Sequence, residues 1–186
     1  MIRTTATAAI LCFGVATSAS AALLDFQILG LGDVGSPTAD IPRASLISEG
    51  ESLFVGAGPY GPRSICAYTP TEGDKGTCAN DLEIVFDDPI KNLTFDQGRW
   101  NEGDLIDITA LLDGEVVGTY TIDSEEKKVD LSAIGPITSL VFDDQSEVSG
   151  VAYANFKFDV MSVPLPAGLA LMLGGLGFLG AVRRRQ

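Results

Sequence analysis

Between residues 82 and 160 apolar side chains return at every second position, in one short segment after another. Leu82, Ile84 and Phe86 share one parity, and Leu93 and Phe95 do the same. Ile106, Ile108, Ala110 and Leu112 follow, then Val116, Tyr120 and Ile122, and residues 137–142 make a further strand. In the last segment Ala152, Ala154, Phe156, Phe158 and Val160 fall on one side, with Tyr153, Asn155, Lys157 and Asp159 on the other. A period of two sends alternate side chains to opposite faces of an extended strand, so each segment predicts one face in a core and one toward water. Asp113-Gly114 between two such runs predicts a hairpin, because its tight turn needs positive φ. No segment sustains a helical period. Strands of this kind bury one face each most economically as two packed sheets or a closed barrel. The expectation is an all-β antiparallel β-sandwich, jelly-roll-like in form.

Residues 22–81 are dense in Gly, Pro, Ser and Thr, with short apolar stretches at 23–31, 53–55 and 65–68. They read as short strands joined by long loops.

Both ends of the chain are apolar and read as addresses rather than as fold. Arg3 gives a short positive region, residues 6–16 are mostly small or apolar, and Ala19-Ser20-Ala21 fits the small-x-small pattern cut by signal peptidase. The predicted cut falls before Ala22, making residues 1–21 a signal peptide, since the apolar stretch is too short to cross about 30 Å of hydrocarbon. At the other end residues 163–182 carry no charge and are followed by Arg183, Arg184 and Arg185. Twenty residues at about 1.5 Å rise span roughly 30 Å, although Pro164 and Pro166 leave a helix only over 167–182. Arginines are retained on the cytoplasmic side, so this stop-transfer pattern places everything before residue 163 across the membrane. The predicted organisation is a signal peptide (1–21), a β-sandwich body (22–160) and a tail with a transmembrane segment (161–186).

Of the 12 basic residues, four lie in these two ends, leaving 8 in the body against 25 acidic residues, a net of about −17. Such a surface repels nucleic acid and anionic lipid. Cys12 leaves with the signal, and the remaining Cys66 and Cys78 are expected to form a disulfide in an oxidising compartment. Histidine is absent, which removes the commonest base of Ser and Cys triads and the usual zinc ligand. No catalytic residues are assigned. A glycosidase built on two carboxylates keeps a formal place, but nothing singles out two of so many acids. Gly30, Gly32 and Gly35 lack the strand-to-helix setting that cradles phosphate.

The segment Val163-Pro164-Leu165-Pro166-Ala167-Gly168, with the span and arginines behind it, resembles the VPLPA variant of the PEP-CTERM sorting signals. It departs from the commoner pattern by carrying Leu165 where Glu stands between the prolines. The resemblance implies recognition and processing by an exosortase, and a carrier associated with exopolysaccharide, biofilm or cell-surface material of Gram-negative bacteria. It implies a protein anchored in the inner membrane and facing the periplasm before processing, then resident at the cell surface or in the matrix. Two prolines also suit the site physically, because they keep the peptide extended as a protease needs. Residues 151–158 resemble, loosely, the last strand of the jelly-roll domains found ahead of such signals, many of them similar to carbohydrate-binding modules.

Two candidate ligand sites remain. Asp87-Asp88 and Asp143-Asp144 each follow a strand ending in Phe, and hard oxygen ligands on loops suit a structural Ca²⁺, although solvated turn residues are the plainer reading. Trp100, in the polar stretch 97–104, is the best candidate for stacking on a sugar ring, against the plainer reading of a core side chain. The function expected is an exported, non-enzymatic surface or matrix protein with a structural or adhesive role. A carbohydrate-binding module is the alternative, and a polysaccharide-acting enzyme comes third.

Overall fold

A single strand of 17 residues, Leu82–Gly98, organises the fold of the computed structural model. The structure describes residues 20–56, 64–70, 76–98, 102–123, 128–146 and 150–161. In chain order these form β1 (Ser20–Leu23), a 3-10 turn (Phe26–Leu29), β2 (Gly32–Asp33), β3 (Thr38–Ile41), β4 (Ala44–Ser48), β5 (Ser52–Gly56) and β6 (Ser64–Tyr68). Then come β7 (Leu82–Gly98), β8 (Ile106–Leu112), β9 (Glu115–Ile122), β10 (Lys128–Asp130), β11 (Ile137–Asp144) and β12 (Ala152–Val160). They belong to one compact unit, Ala19–Met161. The predicted transmembrane segment, 167–182, lies outside the described residues.

The chain is all-β, as the periodicity predicts, and its strands run antiparallel in one open hydrogen-bonded path, β2-β5-β6-β12-β7-β11-β8-β9. β7 serves two sets of neighbours. Its first half pairs with β4 through Ala44↔Phe86 to Ser48↔Leu82, and with β11 through Ser139↔Val85 to Phe142↔Leu82. Its second half pairs with β12 from Val160↔Ile90 to Ala152↔Gly98, and with β10 at Val129↔Phe95. β1 adds to the free edge of β12, from Ser20↔Val160 to Leu23↔Lys157.

The two sets meet through aromatic side chains, giving a sandwich-like arrangement. Phe142 on β11 lies 4.3 Å, between ring centroids, from Tyr153 on β12, and 5.6 Å from Phe95 in the second half of β7. Phe95 stacks on Phe156 of β12 at 4.9 Å, and Phe86 meets Phe158 edge-on at 5.3 Å. Such pairs add roughly 0.5–1.5 kcal/mol each beyond the area they bury.

The parity of Leu82, Ile84 and Phe86, of Leu93 and Phe95, and of Ile106, Ile108 and Ala110 is as expected, since all are buried. The hairpin also forms where Asp113-Gly114 predicts it, with φ of 53° and 87°. Three elements depart from expectation. β3 and β4 form a hairpin, turning at Arg43 with φ 81°, in a stretch expected to be loop. Its strands are short and mixed in polarity, so they carry little periodic signal. On β9 Val116 is exposed although Ile122 on the same parity is buried, because the ladder to β8 slips between Ala110 and Leu111, a bulge on β9 that turns Val116 to the opposite face.

The third departure is in β12. Tyr153 is buried in the main core with Phe156 and Phe158, although its parity places it on the water face. The ladder to β7 slips between Ala154 and Lys157, where Asn155 adopts φ 55°, a bulge that inserts one residue and reverses the parity. Asn155 is held there by donating from Nδ2 to Asp96 Oδ2 at 2.7 Å. Ala152 and Ala154 are buried as well, and Ala152 packs in a second small cluster with Cys66, Cys78 and Phe54.

Phe156→Ala removes the ring shared by these contacts and is expected to cost about 3–5 kcal/mol, whereas Lys157→Ala, next along the strand and exposed, stays within roughly 0.5 kcal/mol. Denaturant unfolding of the two variants measures the contrast.

Candidate functional site

The residues singled out in the sequence are scattered. Cys66, on β6, and Cys78 are joined by a disulfide, as expected, with Cα atoms 5.5 Å apart. Ala21 and Ala22, which flank the predicted signal cut, lie in β1 opposite Asp159 and Phe158. Trp100, Ala19, the motif from Val163 to Gly168 and Arg183 to Arg185 fall outside the described residues. Among the described residues no helix is long and apolar enough to cross a membrane.

The two acidic pairs do not come together. Asp87 and Asp88 are exposed where β7 passes between its two sets of neighbours, and Asp87 N–H donates to Arg43 O at 3.0 Å. Asp143 and Asp144 sit beyond Phe142↔Leu82, at the other end of that ladder. Some six residues of strand separate the pairs, on the order of 20 Å at ~3.4 Å each.

Asp144 instead joins two residues that the sequence did not mark, Asp81 and Asp104. β7 begins at Leu82, opposite Phe142, and β8 begins at Ile106, opposite Asp144, so the residues just outside these strands share one end of the sheet. Asp144 N–H donates to Asp81 Oδ1 at 2.9 Å, and Gln145 N–H donates to Leu105 O at 2.9 Å. The Asp144 carboxylate accepts from Ser146 N–H at 2.9 Å and from Val151 N–H at 3.2 Å, which ties down both ends of the connection into β12. Gly150 in this connection has φ 59° and rests on the disulfide segment, where a Cβ would come within 2.4 Å of the Cys78 carbonyl. Only glycine fits there.

Beneath the carboxylates lies Tyr153, 2 % exposed, its ring against Phe142. Burial above all, then the negative charges of Asp144, Asp81 and Asp104, push its pKa well above the phenolic value. Among the described residues its hydroxyl has no hydrogen-bond partner, and neither has the Ser146 hydroxyl or Asn80 Nδ2. Burial likewise raises the pKa of Asp144, the bonds from Ser146 and Val151 oppose this, and Asp104, 7 % exposed, adds to the rise. The Ser146 hydroxyl helps to hold the carboxylate charged, yet its geometry falls short of a hydrogen bond. Among the described residues no three acidic or thiol side chains close on a point as a ready metal centre.

The sequence could have offered one signal for this site, an acid just before a strand at both Asp81 and Asp104. It could not show that those strands are both neighbours of β11. Compared with known proteins, the chain matches no family model, and no curated protein is significantly similar to it.

Folding raises the Asp144 pKa, so the folded state holds that proton more tightly than the unfolded chain. The stability this contributes is present at low pH and lost as pH rises through the folded pKa. Asp144→Asn should therefore gain on the wild type as pH rises from about 3 through the carboxylate range, whatever constant cost the change carries. Denaturant titrations in chelator at several pH values read the sign. Replacing both Cys66 and Cys78 by Ser should cost about 3 kcal/mol through lost loop constraint, measured in the same way.

Proposed function

We propose that this protein is an exported surface or matrix component, delivered through an exosortase-type tail and acting as a structural or adhesive body rather than as an enzyme. On this reading the body is a jelly-roll-like sandwich, and signal peptidase, an exosortase and exopolysaccharide are its partners. The observation that carries the reading is the order of features at the C-terminus: Val163-Pro164-Leu165-Pro166-Ala167, an uncharged run to residue 182, then Arg183-Arg184-Arg185. Prolines that keep the peptide out of a helix, an apolar span and cations retained on the cytoplasmic side suit a peptide presented to a processing enzyme at the membrane.

Two properties of the body support it. Ala22 and Leu23, the first residues after the predicted cut, pair with Phe158 and Lys157, so the two ends of the body lie on one edge of the sheet. The disulfide suits an oxidising compartment, and the large acidic excess suits a solvated matrix component.

Intact mass of the protein recovered from its native cells is the direct test. The expected species has lost residues 1–21 and is cut near Pro166, and a mature form that retains Arg183 to Arg185 rules out sorting. Protease protection before processing should find residues 22–160 on the periplasmic side.

A further inference from the structure

Asp81, Asp104 and Asp144 lie at the end of the sheet where β7 and β8 begin and β11 stops, with Asp144 N–H bonded to Asp81 Oδ1 at 2.9 Å, and the negative charges of all three act on the Tyr153 hydroxyl. Asp104 is 7 % exposed and Tyr153 2 %, so water screens these groups poorly, and close carboxylates in such a setting repel one another strongly. A second observation points to an occupant. The hydroxyl of Tyr153, a residue 2 % exposed, has no hydrogen-bond partner among the described residues, although buried hydroxyls are almost always bonded.

We infer that this acidic end of the sheet binds a divalent cation of the calcium class, held by Asp81 and Asp104 and partly through its own water. Ca²⁺ fits for three reasons. All the donors here are hard oxygens, its shell of 6–8 ligands tolerates irregular geometry, and water commonly completes it. The carboxylates do not close on a point, so the inferred ion is held directly by two of them and reaches Asp144 and the Tyr153 hydroxyl through its own water. Mg²⁺, which demands a near-ideal octahedron, fits worse. The site differs from Asp87-Asp88, which is exposed and lies at the far end of the ladder.

Its consequence is local order. Asp144 accepts from the backbone N–H groups of Ser146 and Val151, and Gly150 sits on Cys78. Neutralising the carboxylates secures Ser146 and Val151 on Asp144, and with them Gly150 against Cys78. This inference does not rest on the sorting tail.

The test uses the full chain in detergent, stripped with chelator and returned to neutral pH. Terbium supplies the probe, because tyrosine sensitises its luminescence only when the ion lies close. The expected result is saturable terbium luminescence, competed out by CaCl2 but poorly by MgCl2, with a melting temperature that rises on adding CaCl2 and not on adding NaCl of equal ionic strength. Asp104→Asn should weaken binding at least about tenfold. Asp87→Asn combined with Asp88→Asn should leave it unchanged. Tyr153→Phe, which keeps the ring and its packing, should lower the luminescence while the calcium-dependent rise in melting temperature persists. Absence of a saturable calcium effect in the wild-type chain overturns the inference. So does an effect of equal size in a folded Asp104→Asn protein, which would mark general screening of an acidic surface.

Discussion

The contact between Phe142 of β11 and Tyr153 of β12, joined by Phe95 and Phe156, is what the rest of the structure depends on. The two halves of β7 carry different neighbours, and this aromatic cluster brings β11 and β12 face to face. Strands held by a ladder alone bury little. Once the rings close, Leu82, Ile84, Leu93, Leu140 and Phe142 lie in one continuous core.

The bulge at Asn155 makes that contact geometrically available. A regular strand would turn Tyr153 away from Phe156 and Phe158, whereas one inserted residue puts all three on the core side and leaves Ala152 to pack under the disulfide. A single residue at positive φ thus lets β12 serve two clusters, one on each face. The Asn155 side chain, bonded to Asp96 on the neighbouring strand, offsets the strain of that conformation. Because Tyr153 is drawn inward, its hydroxyl is buried beside Asp81, Asp104 and Asp144, with no hydrogen-bond partner among the described residues. Packing and polar site are therefore one arrangement: the ring completes the core, and its tip becomes part of the acidic end of the sheet.

The proposed delivery to the cell surface and the inferred cation site draw on separate parts of the chain. Delivery rests on the two ends, where short motifs and apolar length carry the meaning. The cation site belongs to the body, where the disulfide, the fitted Gly150 and the backbone bond of Val151 to Asp144 meet. An acidic β body that orders one corner around a divalent ion suits an extracytoplasmic setting, in which such ions are plentiful and no reducing pool attacks the disulfide.

By itself the sequence determined the class of fold, the hairpin at Asp113-Gly114 and the pairing of Cys66 with Cys78. These follow from local properties: a period of two, a turn that needs positive φ at both centres, and only two cysteines in the body. Tertiary structure alone decided that Tyr153 is core, that residues 38–48 form a hairpin, and that Asp144 meets Asp81 and Asp104 rather than Asp87 and Asp88. Each of these depends on which distant strands are neighbours and in what register. A bulge or a one-residue slip, invisible in local periodicity, moves every side chain beyond it to the opposite face.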